Sequence, residues 1–145
     1  MIKPYKGKFH IEWYPVTVST AFAFGDMVTI LNTVAGAGTL AKVADGSTRV
    51  LGLIQQTIAS TDADYAVARK VPVLIGDTDS EFLADVATGS AAATDVGEMI
   101  GFDDEANVDV TDYTEGQFLI TGVVSSTKVI GKFNKGFGLE IPVTQ

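Results

Sequence analysis

The run Tyr65–Ile75 constrains the fold more than any other part of the chain. Tyr65, Val67, Val71, Val73 and Ile75 fall on one face of an extended segment, with Arg69 among them; Ala66, Ala68, Lys70, Pro72 and Leu74 fall on the other. Period-two alternation is the mark of a strand. Pro72 has no backbone N–H to give, which places the run near a sheet edge or a bulge. Comparable short apolar runs recur at 27–31, 50–58, 82–86, 99–102, 108–110, 118–124, 129–133 and 139–143. Turn residues such as Gly25-Asp26 and Asp45-Gly46-Ser47 punctuate them. Residues 80–87 offer either two turns of serine-capped helix or a strand, and a strand is the preferred reading. The alanine-, threonine- and glycine-rich stretch 87–97 reads as a loop. Many short strands with turns between them predict an all-β domain, a compact β-barrel or β-sandwich.

A chain of 145 residues is the size of one domain and buries about 68–70% of its unfolded surface, enough to fold without a staple. It has no cysteine, which removes disulfides, thiolate nucleophiles and cysteine zinc sites. No apolar run approaches the roughly 18–20 residues of a membrane span, and Met1-Ile2-Lys3-Pro4-Tyr5-Lys6 lacks the apolar centre of a signal peptide.

Charge narrows the partners. The net charge is −8, and twelve of the 18 carboxylates lie between Val71 and Thr127, where there is no lysine or arginine. Such a surface repels nucleic acid and anionic membrane. The ends are basic instead: Lys3, Lys6 and Lys8 at one, Lys128, Lys132 and Lys135 at the other.

Residues 1–15 differ from the rest, with Pro4 and Pro15, three lysines and the aromatics Tyr5, Phe9, Trp13 and Tyr14. Two readings stand. One is an extended N-terminal arm ahead of a body at 16–145, docking on a shell or a neighbouring subunit through Lys3, Tyr5, Lys6, Lys8, Phe9, Trp13 and Tyr14. The other is an ordinary first strand with Phe9, Ile11 and Trp13 alternating onto the core.

Chemical motifs are weak. Gly36-Ala37-Gly38-Thr39-Leu40-Ala41 fits a dinucleotide fingerprint, but Asp45-Gly46 leaves no room for the crossover helix, so a turn is expected. Asp77-Thr78-Asp79-Ser80-Glu81 opens like a calcium loop yet has Phe82 and Thr88 where glycine and glutamate belong. Asp103-Asp104-Glu105 reads as an acidic turn. His10, the one histidine, stands among lysines, and no carboxylate partner or triad is expected for it. No enzyme, metal or cofactor is expected.

The order of segments resembles a known group. Phe24-Gly25-Asp26-Met27-Val28 is followed by Arg49-Val50-Leu51-Gly52-Leu53-Ile54, Val71-Pro72-Val73-Leu74, Val96-Gly97-Glu98-Met99-Ile100-Gly101-Phe102, Val123-Val124 and Val129-Ile130-Gly131-Lys132-Phe133. This pattern of glycine-punctuated strands, over residues 20–135, is similar to the decoration (cement) proteins of tailed-bacteriophage capsids. The resemblance implies a structural virion protein of the outer capsid surface, made in the host cytoplasm. It would bind the major capsid protein and itself, as a homotrimer, and would stabilise the shell. The rival class is a ligand- or carbohydrate-binding β-module of a phage fibre or spike. An apolar surplus on both faces of 65–75 and in 118–124 and 129–133 also points to contact between copies.

Overall fold

The computed structural model describes residues 1–16, 20–30, 38–45, 49–59, 61, 69–114 and 116–133. The first half of the 65–75 run, Gly36-Ala37, Gly46-Ser47, Glu115, Lys135 and the 139–143 run lie outside the described residues. Among the described residues, eleven strands and one short 3-10 turn, Ala93–Asp95, make the fold.

Two sheets carry the strands. The first contains β1 (Ile2–Lys6), β7 (Glu81–Thr88), β8 (Met99–Phe102), β9 (Asn107–Asp109), β10 (Phe118–Ser125) and β11 (Lys128–Phe133). Its order is β1-β7-β11-β10-β8-β9. β9 also pairs with β7 in parallel, Val86 opposite Val108, so five strands close into a barrel and β1 continues along β7. The second sheet contains β2 (Phe9–Pro15), β3 (Met27–Ile30), β4 (Leu40–Lys42), β5 (Gly52–Ile54) and β6 (Lys70–Gly76). Its order is β2-β6-β5-β3-β4, and a bridge between Val16 and Leu40 curls one end round to the other. The all-β expectation holds, and 81–88 is strand rather than helix.

Alternation along the second sheet builds two cores. Met27 and Leu53 point to the barrel and join Phe82, Phe102, Phe118, Phe133 and Ile120. Val28, Ile54, Val71, Val73 and Ile75 point the other way and join Val16, Phe22, Leu40 and Ile58. Leu74 packs against the first core. Both faces of β6 are thus covered within one chain. The surplus on the described part of that run, 69–75, finds its partners there, and that part no longer argues for contact between copies.

Pro72 sits in a strand paired on both sides, not at an edge. Its carbonyl accepts from the Gln55 N–H at 2.9 Å, so its donor-less nitrogen faces the same side, where β5 has already ended at Ile54. The bond it forgoes is the reciprocal one to the Gln55 carbonyl, just past the end of β5. Gly38 and Leu40, from the glycine motif, lead into the antiparallel β3–β4 pair. Gly38 has φ +83°, as a turn requires, and an antiparallel pair carries no crossover helix.

The first fifteen residues are extended, in two strands, and each strand lies in a ladder. β1 pairs with β7 and β2 with all of β6. The chain crosses between the sheets at Gly7-Lys8 and again at Asp77–Ser80, and the two crossings are lashed together. Ser80, buried, donates its hydroxyl to the Lys8 carbonyl at 2.6 Å, and the Asp77 N–H donates to the same oxygen at 3.2 Å.

Candidate docking face

β1 and β2 are each the outer strand of a sheet, so one continuous segment supplies an edge to both. Along β1, Ile2 is buried and Lys3, Pro4, Tyr5 and Lys6 are exposed. Strict alternation from Ile2 would turn Pro4 and Lys6 inward; a register shift between Pro4 and Lys6 releases Lys6. Tyr5 is 55% exposed and Trp13 60%. Phe9 and Tyr14 behave differently. Phe9 is half-buried, edge-on to Phe82 with ring centroids 5.5 Å apart. Tyr14 packs against the second core. Of the seven expected docking residues, the structure therefore presents Lys3, Tyr5, Lys6, Lys8 and Trp13 outwards and turns Phe9 and Tyr14 in. The first-strand reading is right about Phe9, while Ile11 and Trp13 are exposed.

His10 does have a carboxylate beside it. His10 Nε2 lies 2.6 Å from Glu12 Oε2, and the Tyr14 hydroxyl donates to Glu12 Oε1 at 2.7 Å. Residues 10, 12 and 14 share one face of a strand by period two, so this row was available from the sequence and was missed. Burial, then the bond to Glu12 and its charge, pushes the Tyr14 hydroxyl up to about 12. An imidazole held by a carboxylate is part of a catalytic triad, but among the described residues no nucleophilic side chain is hydrogen-bonded to His10. The row acts as a polar brace along β2.

The lysines divide into two sets. Lys128 lies 2.5 Å from Asp85, which also binds the Met1 amino group at 2.6 Å; Lys132 lies 3.7 Å from Asp79 and Lys42 3.6 Å from Glu105. The hydrogen bond from Lys128, with that from the Met1 amine, holds the Asp85 carboxyl below its usual value. Lys3, Lys6 and Lys8, together on the first strand and its exit turn, and Lys70 at the start of β6 have no carboxylate ion pair among the described residues, and all are exposed.

The acidic turns are largely self-satisfied. Asp95 accepts from the Ala92 N–H, Asp104 from Ala106, Asp109 from Thr111 and Asp112 from Thr114, at 2.8 to 3.0 Å. Thr111 and Thr114 add their hydroxyls to the same oxygens. Aspartate with threonine two residues on is a turn-forming pair, which gives much of the acidic middle a structural cause. Glu81 is engaged by the Thr121 hydroxyl. Asp26, nearly buried, accepts from the Ala23 N–H at 2.9 Å. Burial raises its carboxyl above the usual value despite that bond. Among the described residues no group of three or more His, Asp or Glu is arranged to hold a metal ion, and no helix is long and apolar enough to cross a membrane.

Comparison with family models, curated proteins and solved structures finds no significant match.

Proposed function

We propose that the protein is a capsid decoration protein of a tailed phage, docking on the outer face of the major capsid protein through the exposed side chains of its first strand. One observation carries the reading. Lys3, Lys6 and Lys8 stand exposed beside Tyr5 with no carboxylate partner among the described residues, in a molecule of net charge −8. Where carboxylates abound, three lysines left out of ion pairs on one strand and its exit turn form a basic site ready for an acidic surface. Desolvating them against opposite charge gives orientation and a fast encounter. Aspartates satisfied in their own turns keep the rest of the molecule hydrated and repel other copies' acidic faces. The resemblance of the strand order to decoration proteins agrees with this division.

The test is substitution rather than truncation, because removing residues 2–12 would take away buried Ile2 and the β1 and β2 ladders. Lys3→Glu, Lys6→Glu and Lys8→Glu combined should leave the circular dichroism spectrum unchanged. Binding to empty heads of the encoding phage should fall at least about tenfold, a loss of about 1.4 kcal/mol. Unchanged occupancy of heads by the folded triple variant would refute the reading.

A further inference from the structure

We propose that β2 is the seam of a two-fold dimer, in which it pairs antiparallel with β2 of a second copy, centred on Ile11. The proposal does not depend on the capsid reading. It starts from an edge strand without a guard. His10, Ile11, Glu12 and Trp13 are four successive exposed residues, and among the described residues no strand pairs with Phe9–Pro15 on the side away from β6; the bridge from Leu40 of β4 falls at Val16, just beyond. Two hydrogen bonds orient its backbone. The Val16 N–H donates to the Arg69 carbonyl at 3.0 Å, and the Asp77 N–H to the Lys8 carbonyl at 3.2 Å. Even-numbered residues of β2 therefore face β6, and Phe9, Ile11 and Trp13 turn N–H and C=O outwards. Edges of this length are ordinarily blunted by lysine, proline or a bulge. From Phe9 to Tyr14 there is neither lysine nor proline, and the β2–β6 register runs without a shift.

Chemistry picks the occupant and the register. A pair centred on Glu12 would set that carboxylate against itself and bring Pro15, with no N–H, to a bonding position. Centred on Ile11, every outward residue has its donor. His10 then stands opposite Glu12 of the second copy, in both directions, imidazole against carboxylate. On the other face Ile11, 46% exposed, meets Ile11, and Trp13, 60% exposed, meets Phe9. The strand is complementary to itself, as a two-fold contact requires, and the two five-stranded sheets become one continuous sheet.

The chain has no cysteine, so single cysteines report the register cleanly. Opposed Ile11 positions form a hydrogen-bonded pair with Cα atoms about 5.5 Å apart, within disulfide range. Two Trp13 positions would be four residues apart along the seam, about 13 Å, out of reach. Under mild oxidation Ile11→Cys should form covalent dimers and Trp13→Cys should not. In sedimentation at up to about 100 µM, suited to an interface at the small end of specific complexes, the unmodified protein should run at twice its 15.2 kDa. Ile11→Lys, at an exposed position, should run as the monomer with an unchanged circular dichroism spectrum. A monomeric or trimeric unmodified protein, a dimer that survives Ile11→Lys, or equal cross-linking of the two cysteines would each overturn the proposal.

Discussion

Phe82→Ala tests whether the two sheets fold as one body. Phe82 is 1% exposed and lies where three elements converge. Phe9 of β2 meets it edge-on at 5.5 Å, Phe133 of β11 stacks tilted at 4.3 Å, and Pro4 and Gly131 are its register partners on the flanking strands. Truncating a buried phenylalanine costs about 3–5 kcal/mol, the larger figures arising where neighbours cannot collapse. Here the space is bounded by strands on both sides and by Gly76, whose Cβ position would already lie 3.3 Å from the ring. The upper half of that range is expected. In a domain of this size each kcal/mol moves Tm by about 2–4 °C, so a fall of roughly 8–20 °C should follow. Urea and thermal unfolding read by circular dichroism, with calorimetry alongside, measure it. Val124→Ala, at a side chain 57% exposed, is the control and should stay within about 0.5 kcal/mol. Unfolding should remain a single transition, because β3, β5 and β6 each send residues to both cores. A loss under about 1 kcal/mol, or a second transition left unmoved by Phe82→Ala, would refute the shared core.

Two further outcomes are expected. Gly131→Ala should destabilise by about 1–3 kcal/mol or more, since its Cβ would strike the Phe118 ring and the Leu119 carbonyl well inside 3.0 Å; Gly122→Ala, whose nearest neighbours are 3.8 Å away, should be close to neutral in the same urea titration. Asp85→Asn should cost about 0.2–1 kcal/mol at pH 7, as expected for partly exposed pairs. Its folded carboxyl titrates below the ordinary 3.8, so the stability is present above that value and lost as pH falls through the lower folded one; unfolding measured down the acid range should show the two proteins converging there.

Much of the strand inventory was legible because it rests on local rules. Met99–Phe102 is a strand end to end as read, and 81–88, 118–125 and 128–133 differ from their apolar runs by a residue or two. Apolar residues between turn formers leave little else to form. What failed was non-local. The run 50–58 is a strand only at Gly52–Ile54, and Ile58 instead bridges Phe22, a core residue that the sequence does not separate from exposed Phe24 two places on. Leu40–Lys42 hid inside a glycine motif read as a turn, and becomes a strand because β3 offers it a ladder. The split of residues 1–15 between two sheets is set by Gly7. Its φ is +119° and its Cβ would lie 2.8 Å from the Ser80 Cα, a contact with a residue far along the chain. Within the docking set, composition marked the segment but could not separate outward Trp13 from inward Tyr14, since the register against β6 decides it.

The pairing of Ile2 with Ala84 also sets the timing of folding. β1 leaves the ribosome before its ladder partner β7, which follows the described strands of the second sheet, and β7 itself is completed by β11. The barrel closes through β9, in parallel, which no hairpin can nucleate. Such long loops must be closed before their contacts repay the entropy, so the chain should fold slowly and after synthesis rather than during it. Until β7 emerges, β1 is unpaired on both sides of a half-made chain. The risk of misassembly is greatest in that interval, and the charged residues of the first strand are the protection there.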